Sequence, residues 1–96
     1  MKIIKRSGAE VEFNPEKIVI AITKANESVV PSARMSAIQI KRIAEDVESA
    51  AANINRSLSV EEIQDMVEDQ IMNQRAFDVA RRYITYRYTR DRKSVV

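Results

Sequence analysis

A mostly helical α+β fold, with an N-terminal β-hairpin laid as a lid over a small four-helix bundle, is what this sequence predicts. Three observations lead there. The only glycine, Gly8, separates two short stretches, Ile3–Arg6 and Glu10–Phe13, and the second alternates polar with apolar as a half-buried strand does. From Asn14 onward apolar residues recur at intervals of three and four, the helical period. Two helix starts are written in capping chemistry, Asn14-Pro15-Glu16 and Ser59-Val60-Glu61-Glu62.

The hairpin is expected at about residues 2–13. With Ser7 and Gly8 as the two central turn residues, Ile4 faces Val11, Lys2 faces Phe13, Lys5 faces Glu10 and Ile3 faces Glu12. Ile4, Val11 and Phe13 then form an apolar face. A lone two-stranded hairpin is marginal in water, so this face must lie on the helices.

The helices are expected at about 15–28, 36–54, 60–73 and 77–91, within one domain spanning 1–96. Ile18, Ile22 and Ala25, with Ala21 beside them, form the stripe of the first, which Val29-Val30-Pro31-Ser32 ends. Ile40, Ile43, Val47, Ala50, Ala51 and Ile54 should face inward from the second, and Asn53–Leu58 reads as a polar turn. The third presents Ile63, Val67 and either Gln70 or Ile71, and the last Val79, Ala80, Tyr83, Ile84 and Tyr86. Short connections favour antiparallel neighbours.

A chain of 96 residues makes one modest core, burying about 60–65% of its unfolded surface, with little room for a deep catalytic cleft. No apolar run reaches the ~20 residues of a membrane span, and Met1-Lys2-Ile3-Ile4-Lys5 is no signal peptide, so a cytoplasmic setting is expected. Without cysteine or histidine there is no disulfide framework, thiolate zinc site, cysteine nucleophile or histidine-based acid–base catalysis. The net charge of +2 is unevenly spread. Residues 75–96 hold seven basic and two acidic residues, a net +5, which leaves −3 for the rest. Such a basic C-terminal helix suits a polyanion, or it simply complements its own dipole.

One glycine excludes both the G-x-x-x-x-G-K-[ST] loop and the G-x-G-x-x-G fingerprint. A phosphate site must therefore use side chains, hairpin amides and a helix start. Lys5 and Arg6 before the turn, and Lys17 in the first turn of helix one, are the candidates. Lys17 opposes the helix dipole, which a nearby anion would relieve; the plain alternative is a solvated lysine. Glu10, Glu12 and Glu16 would pair with these bases or hold Mg²⁺ through phosphates, though solvated surface accounts for them as well. Tyr83 and Tyr86 suit core packing better than stacking on a base.

The blocks I-x-K-R-x-G at Ile3–Gly8, F-x-x-x-K-I at Phe13–Ile18, V-E-E-I-Q-D-x-V-E at Val60–Glu68 and A-R-x-Y-I-x-Y-R-x-x-R at Ala80–Arg90 together resemble the ATP-cone. Their ending and the I-Q-D-x-V-E block look most like the N-terminal cone of anaerobic (class III) ribonucleoside-triphosphate reductases. The resemblance implies an allosteric domain that senses ATP or dATP, with Mg²⁺, without turning it over. Ile3 and Ile18 would contact adenine, Lys5, Arg6 and Lys17 the phosphates, and Asn14 would lie near the nucleotide. Arg87 or Arg90 would close the phosphate end. Gln64 stands where some members have a pocket histidine, and Ser7 replaces the acid of the common K-R-D-G lid motif. The partners implied are an adenine nucleotide and the catalytic domain of a ribonucleotide reductase, with room for a homo-oligomer. No metal is held by protein ligands alone, no membrane is involved, and the radical-transfer cysteines of the parent enzyme are not in this chain. The same family includes a repressor joined to a zinc ribbon, whose cysteines are also absent here. The competing reading is a small basic helical module that binds nucleic acid or regulates transcription through Arg81, Arg82, Arg87, Arg90 and Arg92.

Overall fold

The computed structural model describes the backbone of residues 1–95 and the side chains of residues 1–88. Three short strands, β1 (Lys2–Ile4), β2 (Glu10–Glu12) and β3 (Leu58–Ser59), accompany four helices. These are α1 (Pro15–Glu27), α2 (Ala37–Ala52), α3 (Val60–Asn73) and α4 (Phe77–Val95), with a 3-10 turn at Pro31–Ala33 between α1 and α2. Each helix packs on its chain neighbours and α4 closes back on α1, which gives a ring of four antiparallel helices. The N-termini of α1 and α3 and the C-terminus of α4 therefore share one end of the bundle, the end that carries the strands.

The helix starts follow the local chemistry. The Asn14 side chain accepts a hydrogen bond from the Glu16 amide at 3.0 Å, with Pro15 in the first turn. Ser59 and Glu62 close a capping box at the head of α3. A second box, Ser36 with Gln39, opens α2 and went unread in the sequence. The core runs through the ring: Ile22, Ile43, Val47, Val67, Ile71 and Val79 are fully enclosed. Burying each such side chain is worth about 1.5–3 kcal/mol.

Several sequence expectations change. The strand register differs by one residue: Lys2 pairs with Glu12, Ile3 with Val11 and Ile4 with Glu10. The cause is a three-residue loop in place of a two-residue one. The Gly8 amide donates to the Lys5 carbonyl at 2.8 Å, the Lys5 amide donates to the Ala9 carbonyl at 2.8 Å, and of the loop residues Gly8 takes positive φ, at 90°. That is a turn completed by a glycine bulge. The face toward the helices consequently holds Ile3 with Phe13, both packed on the core, and not Ile4.

The segment expected as a polar turn ends in a strand. Leu58–Ser59 runs parallel to β1, Ile3 opposite Leu58 and Ile4 opposite Ser59, so β1 is the centre of a three-stranded sheet ordered β2-β1-β3. Leu58 is buried. On α2 the stripe runs through Ala44, Val47 and Ala51, leaving Ala50 exposed; Ile54 lies beyond the Asn53 C-cap and is exposed too. On α3 it is Ile71 that is buried, and on α4 Val79, Ala80 and Tyr83 face in while Ile84 faces out.

Candidate functional site

The end of the bundle that carries the sheet gathers most of the residues singled out in the sequence. Ile3 sits at the middle of the sheet, flanked by Val11 and Leu58, and Ile18 is buried one turn into α1. Asn14 is at the α1 N-cap, its side-chain oxygen engaged by the Glu16 amide. Lys17 follows in the first turn; its amide donates to the Asn14 carbonyl at 3.1 Å. The side chains of Lys5 and Lys17 are exposed and make no hydrogen bond or ion pair among the described residues. Both are available cations, while no direct contact joins Lys17 to Lys5.

Arg6 and Arg87 are differently placed, because α3 presents an acidic face between them. Arg6 Nε donates to Glu61 Oε1 at 3.3 Å and so ties the turn of the hairpin to the head of α3. Arg87 Nη1 donates to Asp65 Oδ1 at 2.8 Å and to Glu68 Oε1 at 3.1 Å, while Nη2 reaches the Glu61 carbonyl at 3.5 Å. Its side chain is 16% exposed, against 67% for Asp65 and 24% for Glu68. Burial opposes the Arg87 charge, but the hydrogen bonds to both carboxylates outweigh it and raise its pKa above the ordinary value. Arg87 therefore locks α4 to α3, and to reach a phosphate it would first have to leave its carboxylates. The side chain of Arg90 lies outside the described residues.

Gln64 shares this face of α3, one turn from Glu61 and one from Glu68. Its Oε1 is buried and has no hydrogen-bond partner among the described residues. A buried acceptor left without a donor costs about 1–3 kcal/mol, so the position is suited to a ligand N–H or O–H. Sequence reasoning missed the carboxylates Glu61, Asp65 and Glu68, although their spacing of four and then three residues was a readable signal for a single helix face.

Next to the site, the loop before β3 is held by a fork. Arg56 Nη2 donates to Glu62 Oε2 at 2.6 Å and Nη1 to Glu62 Oε1 at 3.2 Å. The Arg56 hydrogen bond, helped by the Ser59 amide, holds the Glu62 carboxyl down at about 2. Tyr83 is 3% exposed, and burial pushes its phenol above the ordinary value; it is a core residue and offers no face to a base.

The geometry is thus a small sheet at the end of the bundle where α1 and α3 begin, with Lys5, Lys17 and the Gln64 acceptor unpartnered among the described residues. The ATP cone domain family matches residues 1–92. The chain belongs to the ATP-cone family. The cone is 41% identical over 98 residues to a ribonucleoside-diphosphate reductase subunit alpha of Chlamydia pneumoniae, covering 94% of this chain and 9% of that protein. It is 36% identical over 89 residues to an anaerobic ribonucleoside-triphosphate reductase of Haemophilus influenzae, covering 93% and 12%. It is 39% identical over 94 residues to a vitamin B12-dependent ribonucleoside-diphosphate reductase of Thermoplasma acidophilum, again covering 93% and 12%. The anaerobic reductase expected from the α3 block is therefore among the relatives, beside reductases of other kinds. The cone spans about a tenth of the length of these curated relatives. No helix among the described residues is long and apolar enough to cross a membrane.

Proposed function

We propose that this cone is an allosteric sensor of adenine nucleotides, reading ATP against dATP for the catalytic domain of a cytoplasmic ribonucleotide reductase. The observation that carries the reading is the family match along nearly the whole chain, at a site whose lysines are unpaired among the described residues and whose α3 face holds a buried acceptor. The nucleotide would lie between the sheet and the N-termini of α1 and α3. Ile3 and Ile18 would offer the base an apolar surface, and Asn14 and Gln64 would offer polar contacts. Lys5, Arg6 and Lys17 would bind the phosphates, Arg6 exchanging Glu61 for a phosphate oxygen. Charge-assisted bonds of this sort are the stronger kind. The positive ends of two helix dipoles favour the same negative charge.

Arg87 is assigned to holding α3 and α4 together, not to the phosphates, because three acceptors already occupy it. Among the described residues no group of three or more acidic side chains could hold a metal, so Mg²⁺ would arrive on the phosphates of the nucleotide. This chain's residues bind and orient. With neither a cysteine nucleophile nor a histidine base, the cone leaves the nucleotide intact in this reading. Regulation then requires that ATP and dATP stabilise different arrangements of sheet, bundle or assembly, because a ligand with equal affinity for two states shifts neither. Calorimetric titration of the chain with ATP, dATP and GTP tests the reading. Saturable binding of the adenine nucleotides supports it, and no binding of either at millimolar concentration overturns it.

A further inference from the structure

At the end of the bundle away from the sheet, the α3–α4 connection and the 3-10 turn enclose an open groove of about 500 Å³. Its lining is mostly polar; the apolar share comes from the buried Met35, the half-buried Ala33 and Ala76, and Phe77, which stands half exposed. Three guanidinium groups surround it, those of Arg34, Arg75 and Arg81, against the single carboxylate of Asp78. Arg34 is fixed in place: Nε donates to the Val29 carbonyl at 2.8 Å and Nη2 to the Glu27 carbonyl at 3.0 Å, leaving Nη1 unengaged among the described residues. Arg81 meets Asp78 only at 3.7 Å, with both side chains well exposed, so that pair is weak. The Arg75 side chain makes no hydrogen bond or ion pair among the described residues.

Arg75 is also the residue least suited to its backbone. It occupies the position just past the α3 C-cap with φ at 61°. Its amide donates to the Met72 carbonyl at 2.9 Å, and the Ala76 amide donates to the Ile71 carbonyl at 3.4 Å. This is the helix-ending motif in which glycine is favoured and a side chain is strained. An arginine there puts a cation at the mouth of the groove where folding alone would favour glycine.

We infer that this groove docks an acidic polypeptide segment that carries an apolar anchor residue between its carboxylates. Charge complementarity chooses the partner: the groove carries a net excess of two positive charges, and the guanidinium forks of Arg75 and the weakly paired Arg81 match carboxylates. The half-exposed Phe77, with Ala33 and Ala76, gives an anchor residue an apolar surface to cover, a use that a free phosphate would not have. Arginine and aromatic residues are the side chains enriched at interface hot spots. This docking face is separate from the nucleotide site, so it stands or falls independently of the sensor reading.

The test selects peptides from a random display library on the intact 96-residue chain, then measures the enriched peptide by fluorescence anisotropy against variants. Enriched peptides should carry at least two carboxylates flanking an apolar residue. Arg75→Gly should weaken binding about tenfold or more while keeping or raising the melting temperature, which separates lost docking from lost folding. Arg81→Ala should weaken it as well, and Arg42→Ala, on an exposed part of α2 outside the groove, should leave it unchanged. Enrichment of peptides without acidic residues, no enrichment at all, equal binding to Arg75→Gly, or displacement by pyrophosphate as readily as by unlabelled peptide would each overturn the inference.

Discussion

Replacing Arg87 with alanine separates the two roles this residue has been given. In the sequence it reads as a phosphate ligand; in the structure it is a brace between α3 and α4. The bond to Asp65 contributes little, because that carboxylate is 67% exposed and water replaces the lost partner. The bond to Glu68 matters more: the carboxylate is 24% exposed, and truncation leaves it half-buried without its cation. A charge-assisted bond of that kind is worth about 1.5–3 kcal/mol. The contact to the Glu61 carbonyl, at 3.5 Å, is at the limit of a hydrogen bond and adds little. The expected loss is therefore about 2 kcal/mol, which for a domain of this size lowers Tm by roughly 8–16 °C. Thermal and urea unfolding of the nucleotide-free protein measure it, with Asp65→Asn as the companion that should cost less than about 0.5 kcal/mol. A double-mutant cycle with Glu68→Gln should show most of the loss as coupling between the two residues. If Arg87→Ala melts within about 2 °C of the parent without nucleotide, less than 0.5 kcal/mol on the same scale, the brace is wrong and the residue is free for a ligand.

Other perturbations follow from the same contacts. Leu58→Ala, at a site 2% exposed in β3 beside β1, should cost about 2–5 kcal/mol and loosen the sheet, and an exposed-loop cost below about 0.5 kcal/mol on urea unfolding would remove β3 from the fold. The Glu62 carboxyl, held at about 2 against an ordinary 4.5, contributes stability that is complete above pH 4.5 and is lost as pH falls toward 2. Glu62→Gln should flatten that acid limb of the Tm–pH curve while keeping the capping box, and an unchanged limb would refute the assignment. Arg75→Gly should stabilise the chain by about 0.5–1 kcal/mol by relieving the positive φ, and a lowered Tm would show that the arginine supports its own turn.

The helices were legible because their stripes and caps are local. Ile18, Ile22 and Ala25, and likewise Ile63 and Val67, repeat at the period of a helix, and Asn14 and Ser59 announce their starts within four residues. What escaped was decided by contacts distant in sequence or by backbone detail. A two-residue strand such as Leu58–Ser59 has no periodicity to read; only its partner Ile3, more than fifty positions away, makes it a strand. The one-residue slip in the hairpin depends on whether Gly8 serves as a central turn residue or as the bulge after it, and the dipeptide Ser7-Gly8 permits both. The side of α2 that faces inward drifts along its length, so Ala51 is chosen over Ala50 only once the neighbouring helices are in place. At the candidate site the cations were visible in the sequence and their partners were not. Glu61 engages Arg6 across 55 residues, and Arg87 is taken by carboxylates 19 and 22 residues away.

The central claim, a sensor that holds adenine nucleotides at the sheet-bearing end of the bundle, is tested most directly by calorimetric titration of ATP and dATP into the parent chain, Lys17→Ala and Arg92→Ala. The account predicts saturable binding to the parent and about ten- to a hundredfold weaker binding to Lys17→Ala, as expected for loss of one charge-assisted phosphate contact. It predicts near-parental affinity for Arg92→Ala, and nucleotide at about a hundredfold over Kd should stabilise the parent fold by about 2.7 kcal/mol. No binding of either adenine nucleotide at millimolar concentration, or a larger loss from Arg92→Ala than from Lys17→Ala, would contradict it.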